Sequence, residues 1–175
     1  FAVLKKDIKE FNKFVTRIFQ SEAGSVPLHR PIFSGNEKKY LSECIDSNFV
    51  SSVGARVVDF ELAIANFVGV KHAVSTVSGT AALHAALVVS NVQPGDEVIT
   101  QAISFVATAN AISYCGAVPV FVDADKDSLG MSPSALRQWL KENTIPTTEG
   151  IFNKNTKSRI AACVPMHTFG LPCRI

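Results

Sequence analysis

The sequence contains no Cys-x-x-Cys pair, no Gly-x-Gly-x-x-Gly and no Walker A loop. The last two absences withhold the usual signatures of dinucleotide and nucleoside-triphosphate sites. Its four cysteines, Cys44, Cys115, Cys163 and Cys173, are scattered along the chain. That spacing fits buried reduced thiols in a cytoplasmic protein better than a disulfide framework or a structural zinc site. No apolar run approaches the length of a membrane span, and Lys5 to Lys13 interrupt the only apolar start, so no signal peptide is expected. Charged residues are sparse at 18%, and the formal net charge is only +2. The densest basic group, Lys5, Lys6, Lys9, Lys13 and Arg17, fits the polar face of a helix, and nothing in it argues for nucleic acid. Internal repeats and low-complexity tracts are absent as well.

What is present is a globular composition, with 47% apolar residues in a chain of 175, long enough to bury a substantial core. Leu4, Ile8, Phe11, Val15 and Ile18 recur at three- and four-residue spacing and predict an amphipathic helix that docks on a partner or on the main body. Ser21 to Pro31 reads as a loop broken by Gly24, Pro27 and Pro31. A helix over Asn36–Asp46 is expected to bury Tyr40, Leu41, Cys44 and Ile45. Another over Val57–Val68 places Phe60, Ile64 and Phe67 on one face, with Gly69 at its C-cap.

From there the pattern alternates. Strands are expected over His72–Val77, Glu97–Thr100, Val118–Val122 and Ile160–Val164. Helices are expected over Gly79–Ser90 and Phe105–Tyr114, and another after Ser132-Pro133, with Leu136, Trp139 and Leu140 inward. Asn143 to Lys157, polar and carrying Pro146 and Gly150, is the expected flexible stretch. Alternation of this kind predicts an α/β fold with a largely parallel sheet. The chain starts at Phe1 rather than Met, so its true N-terminus is expected to be missing, and it ends soon after a strand with no closing sheet edge, so it is expected to be the N-terminal part of a longer protein.

The most informative stretch is Val74–Val89, where a strand is expected to run into a helix through Ser78-Gly79-Thr80. A helix start presents unpaired N–H groups and the positive end of the dipole. Gly79 admits an anion close to the backbone, and the hydroxyls of Ser78 and Thr80 add donors, a combination suited to phosphate. Taken alone the signal is weak, because Ser at a helix N-cap is common and usually means only capping. Ligands of parallel α/β sheets bind beyond the carboxyl ends of the strands. Ser78-Gly79-Thr80, Ser104-Phe105, Asp123 and His167 all fall there. Phe105 could stack on a planar ligand or simply pack in the core. Asp123, Asp125 and Asp127 mimic a calcium loop but lack its sixth-position glycine and twelfth-position glutamate, so they are expected to form a turn. Cys163 and His167 are too few for zinc, and His84 is expected to be packed or exposed rather than catalytic. No metal site is expected.

Several runs together resemble the DegT/DnrJ/StrS family of pyridoxal-phosphate-dependent nucleotide-sugar aminotransferases. They are Pro27-Leu-His-Arg-Pro31, Gly35-Asn-Glu-Lys-Lys-Tyr40, Phe49-Val-Ser-Ser-Val-Gly54, Ser78-Gly-Thr-Ala-Ala-Leu83, Pro94-Gly-Asp-Glu-Val98, Phe105-Val-Ala-Thr-Ala-Asn-Ala111, Pro119-Val-Phe-Val-Asp123 and Pro165-Met-His-Thr-Phe-Gly170. Within the family the set is most similar to the LegC-type branch, which aminates a 4-keto-6-deoxy UDP-sugar for legionaminic-acid-like surface glycans. The resemblance implies fold type I and pyridoxal 5′-phosphate (PLP) as cofactor. It also implies a homodimer, a nucleotide-sugar substrate and an amino-acid donor, with glutamate expected. It assigns the cofactor phosphate to Ser78, Gly79 and Thr80, and the face of the pyridine ring to Phe105. Residues 1–26 would be a helix and linker, and 27–175 an incomplete large domain without the small domain. The resemblance puts the Schiff-base lysine and the carboxylate that pairs with the pyridine nitrogen beyond Ile175. Lys71, Lys126, Lys141, Lys154, Lys157 and Asp123 are therefore assigned neither role, and the chain alone is expected to be inactive. The other expectations are a truncated, non-catalytic partner of a complete paralogue, or part of a sugar dehydratase in which histidine replaces the lysine.

Overall fold

A computed structural model describes residues 2–19, 26 and 30–174. The loop expected over Ser21–Pro31 lies mostly outside these residues. The chain divides into two compact units, residues 1–59 and 60–175.

The first unit holds α1 (Ala2–Ile18), α2 (Glu37–Asp46) and the start of α3 (Ala55–Val68). The amphipathic helix forms as its spacing predicts, with Ile8, Phe11 and Ile18 exposed. Arg56 at the start of α3 lies 4.1 Å above the Tyr40 ring of α2, is paired with Glu43, and reaches Asp59 at 3.2 Å. This stack and its ion pairs leave the α2 face open. Tyr40, Leu41 and Ile45, expected to be buried, are exposed, and only Cys44 is half-buried. Apolar periodicity marks the face that seeks cover without saying what covers it.

The second unit carries the remainder of α3, whose Phe60, Ile64 and Phe67 are also exposed. Gly69 ends the helix at φ +76, as a C-cap glycine does. Three parallel strands follow in the order β2-β1-β5, with β1 (Glu97–Gln101) between β2 (Val118–Val122) and β5 (Ile160–Val164). All five residues of β1 are buried. Successive side chains point to opposite faces. Val98 therefore packs with Leu87 of α4 (Gly79–Val89) and with Ala111 and Ile112 of α5 (Val106–Tyr114). Ile99 packs on the other face with Val122, Met131 and the Leu136–Trp139–Leu140 stripe of α6 (Pro133–Asn143). The result is the expected α/β layering, with helices on both faces of a parallel sheet. Ser132 caps α6 by accepting the Ala135 N–H at 3.3 Å, with Pro133 in the first turn.

Two further expectations fail. Residues 72–77 form no strand: they join no ladder, and Val74 and Val77 are exposed. Asn143 to Lys157, expected to be flexible, is instead an antiparallel ribbon of β3 (Thr144–Thr147) and β4 (Gly150–Asn153), with Ile145 opposite Phe152. Pro146 is compatible because a two-stranded ribbon has only edges. Buried polar contacts fix the ribbon to the sheet. The Glu97 carboxylate accepts from Asn153 Nδ2 at 2.7 Å and from Thr156 Oγ1 at 2.6 Å. Next to it, buried Asp96 receives Arg159 through two contacts, Nε at 3.1 Å and an Nη at 2.6 Å, and also the Gln93 N–H at 2.8 Å.

Burial pushes the Asp96 carboxyl up, but the hydrogen bonds from Arg159 and Gln93 outweigh it and hold the group below the usual aspartate range. A depressed folded-state pKa adds stability above the unfolded-state value, and that stability is lost as pH falls through the folded value. Urea titrations should therefore show the protein weakening below about pH 4. Asp96→Asn should flatten that acid slope and cost about 1–3 kcal/mol at neutral pH. An unchanged slope would remove the pair from the account.

Candidate functional site

A cleft of about 410 Å³ opens at the carboxyl end of the sheet, bounded by Gly79 and Thr80 of α4, Phe105 and Thr108 at the start of α5, and Pro165 and Met166 after β5. Three separate segments that the sequence singled out thus meet in one place. Ser78, at φ −164 and ψ 163, is the N-cap of α4, and its Oγ accepts the Ala81 N–H at 3.3 Å while its carbonyl accepts Ala82 N–H at 3.0 Å. Capping is therefore real, and it uses the third and fourth N–H groups of the turn. Among the described residues nothing accepts from the N–H groups of Gly79 and Thr80. A side chain at Gly79 would extend into open space, with no heavy atom within 4 Å. Two free donors, an uncovered backbone and a helix dipole are the features that suit an anion.

Phe105 is the N-cap residue of α5, and its ring is 72% exposed. It does not join either buried apolar cluster of the sheet. An exposed aromatic facing a helix N-terminus across a cleft suits a planar group that carries a phosphate. Ser104 behind it bonds Thr108 Oγ1 at 3.1 Å and lies 3.6 Å from Met166 Sδ.

Asp123 and His167 do not line the cleft. Asp123 Oδ1 accepts the N–H of Ala124 at 2.8 Å. His167 Nδ1 accepts the Cys173 N–H at 3.0 Å and so ties back the segment that follows. The aspartates form the expected turn: Asp125 accepts the Ser128 hydroxyl at 2.8 Å, which holds its carboxyl below the usual range. Arg174 closes on Asp127 at 2.9 Å. A Cβ on Gly130 in this turn would overlap Cys173. His84 packs edge-on against Tyr114, with ring centroids 5.8 Å apart. No group of three metal-binding side chains occurs among the described residues.

The residue that sequence reasoning missed is Gln101, fully buried at the carboxyl end of β1. Its Nε2 lies 2.9 Å from Ile103 O, 3.1 Å from Leu129 O and 3.0 Å from Thr168 Oγ1, and its Oε1 accepts the Met166 N–H at 3.0 Å. One amide thereby joins the loop before Phe105 to the loop carrying Met166. A polar residue closing an apolar strand, at the end where ligands bind, was the available signal. Two larger clefts, each about 540 Å³, contain neither Gly79, Thr80 nor Phe105, and share only Pro165 with this one. One of them, beside α6, is lined by Met131, Leu136 and Cys163, and burial there pushes the Cys163 thiol up.

Residues 31–175 match the model of a family described as the DegT/DnrJ/EryC1/StrS aminotransferases. GDP-perosamine synthase of Caulobacter vibrioides is 38% identical over 153 residues, 87% of this chain and 37% of its own length. EpsN of Bacillus subtilis, a putative pyridoxal phosphate-dependent aminotransferase, is 48% identical over 115 residues, 66% of this chain and 30% of its own. The PMP form of the putative sugar aminotransferase Spr1654 from Streptococcus pneumoniae aligns with a TM-score of 0.64 at 25% identity, covering 85% of this chain and 33% of that one. The chain spans about a third of the length of the curated relatives it matches.

Gln101→Leu should leave the Met166 N–H without its acceptor and take the amide donor from Ile103 O, while Leu129 O keeps the Thr168 hydroxyl. The expected loss, read by urea denaturation, is on the order of 3 kcal/mol, with faster proteolysis of residues 165–174. A loss under about 0.5 kcal/mol would show that water replaces the amide.

Proposed function

The chain belongs to the DegT/DnrJ/EryC1/StrS aminotransferase family, whose cofactor is PLP, and from that premise we propose that it is the N-terminal part of a sugar aminotransferase. The supporting observation is the pairing, across one cleft, of the free N–H groups of Gly79 and Thr80 with the exposed ring of Phe105. Gly79 and Thr80 would hold the cofactor phosphate through their backbone donors and the Thr80 hydroxyl. Ser78 keeps the turn in shape by capping it. Phe105 would cover one face of the pyridine ring and keep water from it. When bound, PLP supplies an electron sink for transferring an amino group.

The substrate we infer is a keto nucleotide sugar, in keeping with the relatives named for perosamine synthesis and spore-coat polysaccharide. Within that class we propose a 4-keto-6-deoxy UDP-sugar on a legionaminic-acid-like route, with glutamate as donor and a cytoplasmic homodimer as the working form. Residues 27–175 are read as part of the large PLP domain, and residues 1–26 as a helix and linker before it. The Schiff-base lysine is assigned to the part of the relatives that this chain does not match.

Expressed alone, the 175 residues should give no lysine adduct with PLP after borohydride reduction. A mapped adduct on Lys71, Lys126, Lys141, Lys154 or Lys157 would place the lysine within the chain. The longer protein, given glutamate and a 4-keto-6-deoxy UDP-sugar, should yield an amino sugar nucleotide by mass spectrometry. Turnover of only the GDP-linked sugar would move the substrate to the perosamine branch. Gly79→Leu in the longer protein should change stability by no more than about 1 kcal/mol, since its side chain meets open space, yet weaken PLP binding tenfold or more.

A further inference from the structure

The seven residues that lead into the anion seat, 71–77, lack a sheet ladder to hold them. Among the described residues, only Ser75 in this segment is hydrogen-bonded to another element, and its partner is Glu61 on α3. Both bonds fall on one carboxylate oxygen: the Ser75 N–H at 2.8 Å and the Ser75 hydroxyl at 2.9 Å. They hold the Glu61 carboxyl below the usual glutamate range, so the acceptor is anionic at neutral pH, and bonds to an ionised acceptor are the stronger kind. The tie continues forward. Thr76 Oγ1 donates to the Ser78 carbonyl at 2.9 Å, and the same carbonyl receives the Ala82 N–H of α4.

We infer that Glu61 is a positioning residue for the phosphate seat: by gripping Ser75 it fixes where Ser78, Gly79 and Thr80 present their donors. The inference rests on the PLP reading above. The grip comes from a side chain of a neighbouring helix and falls three residues before the cap. Glu61 does not line the cleft. Its contribution is therefore geometric, and a neutral oxygen in the same position should serve.

The test uses the full-length protein and measures dissociation constants, without turnover, for PLP and for pyridoxal, which lacks the phosphate. Wild-type protein should prefer PLP strongly. Glu61→Ala should weaken PLP about tenfold while leaving pyridoxal within twofold, because the loss falls on the phosphate contact alone. Glu61→Gln, which keeps the accepting oxygen, should restore the preference to within about threefold of wild type. Ser75→Ala removes the hydroxyl bond and keeps the N–H bond; it should give an intermediate loss, and it decides the matter if Glu61→Ala does not fold. A purely structural role would lower the melting temperature and leave the PLP-to-pyridoxal ratio unchanged in Glu61→Ala and Ser75→Ala, which would overturn the inference. Equal loss in the Gln and Ala variants would overturn its geometric basis. If wild-type protein bound pyridoxal as tightly as PLP, the phosphate seat itself would fall, and the Glu61 role with it.

Discussion

A strand buried on both faces and hydrogen-bonded along both edges has little freedom left, and whatever projects from its end inherits that rigidity. β1 is such a strand, flanked by parallel β2 and β5 and covered by α4 and α5 on one face and α6 on the other. Gln101 sits at its last position, where the ladder stops and the loops diverge. A buried amide must find partners or lose free energy. The partners it finds are the backbones of the two loops that wall the cleft, so the rigidity of the sheet passes to Phe105 on one side and Met166 on the other.

The same device recurs wherever this chain leaves regular structure. Glu97 holds a ribbon through Asn153 and Thr156, Asp96 holds Arg159, Asp125 shapes a turn through Ser128, and His167 turns back the chain at Cys173. In each case a side chain does what a backbone ladder does inside a sheet. Such contacts are directional, and a loop fixed in this way takes one conformation rather than a family of them. A cleft bounded by loops so held requires little rearrangement to receive a rigid, planar, phosphorylated group.

Much of this architecture was legible in the sequence. Short apolar strands alternating with capped helices gave the α/β layering, and Ser132-Pro133 marked the start of α6. Ser78-Gly79-Thr80 and Phe105 were readable as neighbours because both lie at helix starts beyond the carboxyl ends of the strands, and the structure brings Gly79, Thr80 and Phe105 to one cleft. Other parts were not legible, for physical reasons. His72–Val77 has strand-like composition, but whether a ladder forms depends on a neighbouring strand, which local sequence does not contain. Pro146 and Gly150 look like breakers, and the ribbon survives them because its stability comes from Glu97, far away along the chain. The apolar faces of α2 and α3 were correctly seen as apolar, but burial belongs to a pair of surfaces, and a sequence shows only one. Gln101 and Glu61 escaped notice for the same reason: their partners are remote in sequence.

That remoteness has a kinetic side. Gln101 and Met166 are separated by 65 positions, and β1 takes β5 as its second neighbour across a similar interval. Parallel pairing over such spans is slow, because the entropy of closing the loop is lost before any contact forms. During synthesis β1, α5 and β2 emerge early and can pair, but one edge of β1 and one wall of the cleft must wait for residues 160–166. Until then an apolar strand edge is open to neighbouring chains, the usual starting point for misassembly. The start of α4 is made early and the surface opposite it late, so the cleft between them is complete only when β5 has docked.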